Sequence, residues 1–363
     1  MRILYGVVGE GMGHAMRSAV LLEALSTAGH DVRIVVSGRA ADYLEVRYPG
    51  LVTRITGLEL AYEDNVVHKM KTALKNLKAL KGVPANFRRY AEMARDFSPD
   101  VVISDFESWT YWFARGQRIP ILSVDNMQII PRCHHDENVI GKDMRDFLLV
   151  KGIVRSKLPR CNHYLITTFF YPPVKRDRTT LHPPILRKVI LDAKARVQTE
   201  DHILVYQSGT SHDSLVNELR RIPVPFRIYG LRRDLTAPEQ NDNLTFMPFS
   251  EAGFIADLAS CRAVIAGGGF TLMGEAIYLG KPMLSVPVGG QFEQLLNASY
   301  LRELGYGERA NHVTTDVVER FLDRAPYCTT NLGEFEHDQN AGLIETLAHR
   351  MEAAIKEGAR GDP

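Results

Sequence analysis

The sequence predicts an α/β protein built from two Rossmann-like domains, each with a doubly wound parallel sheet. At 363 residues the chain exceeds one ordinary domain, and its hydrophobic content of 45% can fill two cores. An apolar strand, a glycine-rich turn and an apolar helix also follow one another near the N-terminus and again in the C-terminal half. A strand, a crossover helix and a second strand form a parallel sheet. We expect an N-terminal domain at 1–170, a linker at 171–186 and a C-terminal domain at 187–363.

The first domain opens with a βαβ pattern. A buried strand at 2–8 is followed by a glycine-rich turn at 9–13, an apolar helix at 15–28 and a second strand at 31–37. The turn resembles a dinucleotide fingerprint only superficially, because its G-x-G-x-G spacing is wrong and no acidic residue ends the second strand. The pattern therefore does not favour NAD binding.

Polar residues at predicted strand ends are the site candidates of this domain. His14 follows the first turn, and its imidazole could accept a proton at neutral pH, or it could be a capping or core histidine. Asp105 ends a strand, at the edge where open α/β sheets place their sites, although such residues also cap loops. Glu107, Asp125 and Asn126 are weaker candidates, expected near an acceptor.

Two further segments of this domain suggest less specific roles. The segment 68–95 is rich in lysine and arginine with apolar residues at helical spacing, which favours an amphipathic helix with a solvated basic face. A patch that meets a membrane surface or phosphates is the alternative. Residues 133–137 (CHHDE) contain potential metal ligands, but no matching ligands occur elsewhere, so a polar loop is favoured over a metal site.

The stretch 266–298 of the second domain concentrates turn glycines, an apolar helix and isolated polar residues. Free N–H groups at the start of the helix could bind a diphosphate, and Glu275 within the helix could accept hydrogen bonds from ribose hydroxyls. Glu293 and Gln294 offer polar groups from the next loop. The alternative is a tight turn followed by a helix on which Glu275 is solvated.

This stretch resembles the donor-binding motif of the GT-B glycosyltransferases, particularly the UDP-glycosyltransferase superfamily and the bacterial enzyme that adds N-acetylglucosamine to lipid I. The residues in the family's order are Gly269, Glu275, Gly280, Pro282, Pro287, Glu293, Gln294, Asn297 and Ala298. The resemblance implies that Glu275 holds the ribose and that Glu293 and Gln294 hold hydroxyls of the donor sugar.

Two departures from the family pattern alter what is expected of this stretch. The plant branch has a phosphate-binding histidine where this chain has Gly267, and the interval from Pro287 to Glu293 is two residues longer. Phosphate binding is therefore expected from backbone amides alone. The residues that would supply them are Gly268, Gly269, Phe270 and Thr271.

The resemblance assigns roles elsewhere in the chain as well. It implies that His14 is the base that deprotonates the acceptor and that Asp105 orients it and stabilises its protonated form. Gly209 and Thr210 resemble the family's donor-phosphate loop, with a plain turn as the alternative. Phe249 is either a contact to the nucleotide base or a core aromatic. The two domains are expected to face a cleft, and the last helix can cross back onto the first domain.

The predicted function is that of an inverting, metal-independent hexosyltransferase that uses a nucleotide sugar, with a UDP-sugar preferred. No Asp-x-Asp motif occurs in the sequence, and no metal or other cofactor is expected. The acceptor is expected to be a hydroxyl compound of unknown identity, with a lipid-linked or cell-envelope glycan as one candidate. Two alternatives stay open: a UDP-sugar 2-epimerase of the same fold, and a non-catalytic nucleotide-sugar-binding protein.

Charge and cysteine content exclude several other classes. With 44 basic and 43 acidic residues, the chain has no polyelectrolyte character, which argues against nucleic-acid binding. Its four cysteines lack C-x-x-C pairs, so neither a disulfide framework nor a zinc cluster is expected. Because neither a signal peptide nor an apolar run of about 20 residues occurs, we expect a cytoplasmic protein, either free or peripheral to the inner membrane face.

Overall fold

The computed structural model describes residues 1–9, 11–56, 62–63, 66–67, 83–207 and 213–359. These residues form two seven-stranded sheets and one short two-stranded ladder. The predicted α/β class with two parallel sheets is therefore confirmed. Residues 68–82, which make up most of the basic segment discussed above, lie outside the described residues.

The strands of the first sheet all run parallel. In chain order they are β1 Arg2–Val7, β2 Asp31–Val36, β3 Val52–Arg54, β6 Val101–Asp105, β7 Ile121–Asp125, β8 His163–Thr167 and β9 Thr179–His182, while β4 Tyr62–Glu63 and β5 Val66–Val67 form the separate ladder. Their spatial order is β3-β2-β1-β6-β7-β8-β9. The chain thus winds outward in both directions from the central pair β1 and β6. Its inner strands are mostly apolar and buried at every position, as expected for strands covered on both faces.

Seven helices accompany this sheet among the described residues. They are α1 Met12–Thr27, α2 Gly38–Arg47, α3 Val83–Asp96, α4 Ser108–Gln117, α5 Ile129–Arg132, α6 Glu137–Ile140 and α7 Met144–Lys157. Helix α1 begins directly after Gly11, whose φ of 86° suits a residue without a side chain. The tight turn brings the first residues of α1 to the carboxyl end of β1.

The second sheet repeats this plan with one antiparallel edge strand, β12. Its strands are β10 Ile203–Tyr206, β11 Phe226–Tyr229, β12 Glu239–Asn241, β13 Leu244–Phe246, β14 Ala263–Ala266, β15 Met283–Ser285 and β16 Gly307–Arg309. Their spatial order is β12-β13-β11-β10-β14-β15-β16. The accompanying helices are α8 Lys188–Ala193, α9 Asp213–Arg220, α10 Glu251–Ser260, α11 Phe270–Tyr278, α12 Phe292–Glu303, α13 Thr315–Leu332 and α14 Ala341–Ala359.

The range predicted as a linker, 171–186, contains part of the first sheet. Strand β9 lies within it and pairs in parallel with β8. Prolines precede and follow this strand, but Thr179–His182 itself contains none and keeps every backbone N–H that the ladder needs. The first sheet therefore extends beyond Phe170, to His182.

The last helix, α14, packs against the first sheet, although it follows the second one in the chain. Leu343, Leu347 and Met351 are buried in the same apolar cluster as residues of β1, β2 and β6. Asn340, just before the helix, accepts a hydrogen bond from the backbone N–H of Leu186 and donates one to its carbonyl, at 2.9 and 2.8 Å. Two hydrogen bonds thus join the segment that leaves the first sheet, at Leu186, to the segment that returns to it, at Asn340.

Aromatic side chains fill the contact between the two parts of the molecule. The rings of Phe170 and Tyr300 stack with centroids 3.8 Å apart, and Phe169 stacks on Phe270 at 6.2 Å. Stacked aromatic pairs of this kind contribute about 0.5–1.5 kcal/mol beyond the area that they bury. This contact brings the carboxyl ends of the strands of both sheets toward the same cleft.

A candidate active site between the two sheets

His14 and Asp105, predicted from separate motifs, are in direct contact. His14 lies in the first turn of α1, Asp105 is the last residue of β6, and Nδ1 of His14 is 2.8 Å from Oδ1 of Asp105. The carboxylate is buried, whereas 16% of the His14 side chain is exposed. Because the Asp105 carboxylate can only accept a hydrogen bond, Nδ1 carries the proton and Nε2 the lone pair. Nη2 of Arg17 also approaches the ring, at 2.5 Å from Nδ1 and 3.4 Å from Nε2.

Arg17 is a third member of this site, which the sequence analysis did not single out. One turn beyond His14, it donates from Nε to Oδ2 of Asp105 at 3.1 Å and from Nη2 to Oδ1 at 2.8 Å. Its side chain is buried. Ser18 donates a further hydrogen bond to Oδ2 at 3.0 Å. A basic residue three positions after His14 in an otherwise apolar helix was the only sequence signal for it.

These contacts keep Asp105 ionised although it is buried. Burial acts to raise the pKa of the carboxyl, but the charges of Arg17 and His14 and their hydrogen bonds outweigh it and hold the pKa well below its usual range. Burial likewise acts to lower the pKa of Arg17, and Asp105 more than compensates. The ion pair of Asp105 and Arg17 thus places a negative charge beside His14, with the positive charge of the guanidinium next to it.

Asp125 is the last residue of β7 and Asn126 follows it, but the two side chains have different surroundings. Asn126 accepts a hydrogen bond from Nη1 of Arg17 at 2.6 Å and donates one to Oε1 of Glu293, at the start of α12, also at 2.6 Å. Asp125 instead accepts bonds from the Ser123 hydroxyl and from a backbone N–H of the turn that follows. Burial raises its pKa. Of the two, only Asn126 links the two parts of the molecule directly.

Glu107 does not fit the predicted role near an acceptor. It is the N-cap of α4, where its carboxylate accepts hydrogen bonds from the backbone N–H groups of Trp109 and Thr110 at 2.7 and 2.6 Å. The hydroxyl of Thr110 also donates to it. Both oxygens of this buried carboxylate therefore serve the helix end.

The glycine-rich turn at 267–269 leads into α11, as the sequence predicted. The N-cap residue, Gly269, provides no side chain to bond the free N–H groups of the first turn. A Cβ atom built on Gly269 would meet nothing within 4 Å, whereas one on Gly13 would lie 2.5 Å from Oγ1 of Thr271. The first turns of α1 and α11 therefore approach each other, and open space lies beside Gly269.

Gln294 holds this turn in place. Its Oε1 accepts hydrogen bonds from the N–H groups of Gly268 and Val288, at 3.1 and 3.0 Å, and its Nε2 donates to the side chain of Gln291. The N–H of Gly268, expected to bind phosphate, is thus already engaged by a protein group. The amides at the start of α11, including those of Phe270 and Thr271, are the better candidates for an anion.

Glu275 is not a solvated helix residue. It is buried on α11, and Arg187 donates to both of its carboxylate oxygens, from Nε at 2.8 Å and from Nη2 at 3.0 Å. Arg187 also pairs with Glu251. Burial raises the pKa of Glu275, with the Arg187 charge acting in the opposite direction. The sequence analysis did not identify Arg187, which lies 88 positions away in the chain.

The remaining donor-side candidates have different outcomes. The side chain of Phe249 is 88% exposed, so the alternative of a core aromatic is wrong. Gly209 and Thr210 lie outside the described residues. A cleft of about 600 Å³ lies between the start of α7, the end of β10 and the first residues of α9, and residues 286–292 form much of its wall. That volume is typical of sites for small molecules.

The polar loop at 133–137 packs at the contact between the two parts rather than forming a metal site. His135 hydrogen-bonds through Nδ1 to the Tyr300 hydroxyl at 2.9 Å and through Nε2 to the carbonyl of Ile129 at 3.0 Å. The described residues contain no group of three or more His, Cys, Asp or Glu side chains that could hold a metal ion. No helix within the same residues is long and apolar enough to cross a bilayer.

Comparison with known proteins identifies the class. The glycosyl transferase family 1 profile matches residues 1–326. An uncharacterised glycosyltransferase of Methanosarcina mazei is 24% identical over 351 residues, which cover 86% of each chain. A second, from Methanosarcina acetivorans, is 24% identical over 331 residues, which cover 86% of this chain and 84% of the relative. The chain belongs to glycosyl transferase family 1.

Solved structures agree on the architecture. UGT2 of Phytolacca americana, solved with UDP-2-fluoroglucose and pterostilbene, superposes with a TM-score of 0.66 at 15% identity and covers 97% of this chain and 99% of its own. MurG of Acinetobacter baumannii gives a TM-score of 0.57 at 15% identity, with 96% and 99% covered. The protein is a glycosyltransferase with the GT-B fold.

Proposed function

We propose that this glycosyltransferase inverts configuration as it moves a sugar from a UDP-sugar to a hydroxyl acceptor. The observation that carries the proposal is the 2.8 Å contact between Nδ1 of His14 and Asp105, at the carboxyl end of the first sheet. It sets an imidazole that is 16% exposed beside a buried carboxylate of lowered pKa. A base so arranged can take a proton from a hydroxyl at neutral pH.

In the proposed reaction the acceptor hydroxyl gives its proton to Nε2 of His14. The freed oxygen attacks the anomeric carbon of the donor sugar from the face opposite the leaving group, so the configuration at that carbon inverts. The bond from the anomeric carbon to the diphosphate oxygen breaks, and UDP leaves with the electron pair. The Asp105 carboxylate stabilises the imidazolium that results.

The uncapped start of α11 supports the position of the diphosphate. N–H groups directed from a helix N-terminus stabilise negative charge, and a glycine with open space beside it lets a ligand approach the backbone closely. Such amides can offset the charge on departing UDP without a metal ion. Exposed Phe249 could stack on the uracil ring.

The preference for uridine rests on resemblance to proteins whose ligands are known. The Phytolacca americana enzyme was solved with a UDP-sugar analogue, and a further structural relative, LpCGTa, was solved with UDP. Membership of a glycosyltransferase family favours sugar transfer over 2-epimerisation and over binding without catalysis. The acceptor remains defined only as a hydroxyl compound, for which a lipid-linked or cell-envelope glycan is one candidate.

Calorimetric titration with UDP, UDP-glucose, UDP-N-acetylglucosamine and GDP tests the donor assignment. We expect uridine nucleotides to bind and GDP to bind at least tenfold more weakly. Glu275→Gln is the informative variant, because it keeps the size of the buried side chain while weakening its acceptors for ribose and for Arg187. Absence of uridine nucleotide binding at millimolar concentration would refute the proposal, and UDP-sugar conversion to an epimer without an acceptor would favour the isomerase.

A further inference from the structure

Five side chains form one continuous chain of hydrogen bonds across the cleft. His14 contacts Asp105 at 2.8 Å, Asp105 accepts from Arg17 at 2.8 Å, and Arg17 donates to the carbonyl oxygen of Asn126 at 2.6 Å. The amide nitrogen of Asn126 then donates to Oε1 of Glu293 at 2.6 Å. The chain of bonds begins at the proposed base on one side and ends at a proposed donor ligand on the other.

The orientation of Asn126 within this chain is determined by its neighbours. A guanidinium can only donate hydrogen bonds and a carboxylate can only accept them, so the Asn126 carbonyl must face Arg17 and its amide must face Glu293. Asn126 and Arg17 are each only 3% exposed. Hydrogen bonds to charged groups in such surroundings are stronger and better fixed in geometry than those at a wet surface.

The last bond of this network, between Asn126 and Glu293, joins elements of different sheets. Asn126 follows β7 of the first sheet, whereas Glu293 lies on α12, which follows β15 of the second. Sugar transfer requires the acceptor oxygen and the anomeric carbon to be about 3–3.5 Å apart in line with the breaking bond. That distance depends on how the two halves of the cleft are set against each other.

We propose that Asn126 and Arg17 are positioning residues that couple closure of the cleft to alignment of the base. The Asn126–Glu293 bond forms only when the two halves meet, and Arg17 connects that bond to the carboxylate that orients His14. The inference rests on the proposed function for the identity of base and donor ligand. The contact between Asn126 and Glu293 can itself be tested without a substrate.

A reciprocal exchange tests the bond between Asn126 and Glu293. Asn126→Asp places two carboxylates where the structure has one bond of 2.6 Å, and their repulsion should open the cleft. Adding Glu293→Gln restores a bond with its direction reversed, because the new amide can donate to Asp at position 126. Glu293→Gln alone keeps an acceptor for Asn126 and is the matched control.

The first readout is small-angle X-ray scattering of the four ligand-free proteins. We expect a larger radius of gyration for Asn126→Asp than for the wild type, and wild-type values for Glu293→Gln and for the double variant. Thermal melting followed by circular dichroism confirms that each variant is folded. If Asn126→Asp does not fold, Asn126→Ala replaces it, since it removes the bond without burying a charge.

The second readout is UDP release from UDP-glucose and UDP-N-acetylglucosamine, together with the Kd for UDP. We expect Asn126→Asp to lower kcat about 10- to 100-fold, as for one lost hydrogen bond to a charged group, while the Kd for UDP changes less than twofold. The kcat of the double variant should recover to within about fivefold of the kcat of Glu293→Gln. A change in KM alone would not fit a positioning role.

The outcomes separate this inference from the proposed function. Equal radii for Asn126→Asp and the wild type, or a double variant as open as Asn126→Asp, would overturn the coupling even in an active transferase. Failure of every uridine nucleotide to bind would instead refute the donor assignment. The scattering comparison would then still decide whether the bond holds the cleft closed.

Discussion

At the scale of single residues, Asp105 determines the chemistry of the site. Its two oxygens are contacted by His14, Arg17 and Ser18, all from two turns of α1. A buried carboxylate with this many donors stays ionised, since losing its charge would leave them unpaired. In the proposed reaction, Asp105 is the group that orients His14.

His14→Gln tests the role of the base. Glutamine can still donate a hydrogen bond to Asp105, so the fold should persist, but it cannot accept a proton at neutral pH. We expect kcat for UDP-sugar turnover to fall about 10²- to 10⁴-fold, while the Kd for UDP measured by calorimetry changes less than twofold. Turnover within threefold of the wild type would show that His14 is not the base.

Asp105→Asn tests the buried ion pair with Arg17. It leaves a buried guanidinium without its countercharge, and we expect the free energy of unfolding at pH 7 to fall by about 3–5 kcal/mol. The lowered pKa of Asp105 contributes stability above its unfolded value near 3.9, and this contribution is lost as the pH falls further.

Urea unfolding at several pH values measures both effects of Asp105→Asn. The variant should show a shallower loss of stability than the wild type as the pH falls below about 4. Asp100→Asn is a suitable control, because Asp100 is an exposed partner of Arg2 at the opposite end of the same strand. Parallel losses in the wild type and Asp105→Asn would contradict the assignment of an ionised Asp105.

At the scale of secondary structure elements, the two glycines that precede α11 have different surroundings. A Cβ on Gly268 would lie 2.5 Å from the backbone oxygen of Gln294, so this glycine permits α12 to approach. A Cβ on Gly269 would contact nothing within 4 Å, and its φ of −64° suits any residue. Packing within the protein therefore explains Gly268 but not Gly269.

Gly269→Ala and Gly268→Ala make a matched pair. The first should leave the melting temperature nearly unchanged, since the lower entropy of the unfolded chain offsets the poorer N-cap that alanine makes. It should weaken UDP binding about tenfold or more if the diphosphate lies against that backbone. The second should destabilise the fold by about 1–3 kcal/mol. Unchanged UDP affinity in Gly269→Ala would move the diphosphate site elsewhere.

At the scale of the whole molecule, the halves meet through buried aromatic residues and one half-buried histidine. Burial lowers the pKa of His135 to about 4, and its ring hydrogen-bonds the Tyr300 hydroxyl of α12. In the unfolded chain the same group titrates near 6.5. Above about pH 6.5 the His135 imidazole is neutral in both the folded and the unfolded protein. As the pH falls from about 6.5 to 4, the unfolded chain binds a proton that the folded protein excludes, so stability declines.

His135→Gln should reduce this pH dependence, because glutamine keeps a donor and an acceptor but does not titrate. Melting temperatures measured between pH 7 and pH 4 should fall less in the variant than in the wild type. His134→Gln, which changes the exposed neighbour, is the control and should follow the wild type. Identical curves for His135→Gln and the wild type would contradict the exclusion of a proton from this contact.

The sequence determined the elements, the fold class and the strand-end residues of the site. Alternation of apolar runs with glycine-rich turns is local, and it predicted the strand, turn and helix around residues 263–278. His14 and Asp105 could be proposed because each ends or follows a strand of a parallel sheet, and such ends share one edge. The same local rules missed β9, because prolines on both sides concealed a short edge strand.

Only the tertiary structure decided which polar groups meet. Arg187 and Glu275 are 88 residues apart in the chain, and Asn126 and Glu293 are 167 apart. Periodicity and turn chemistry act over a few residues, whereas these bonds depend on how two separately wound sheets are set against each other. Burial then converts such contacts into the shifted pKa values and fixed orientations that a site requires.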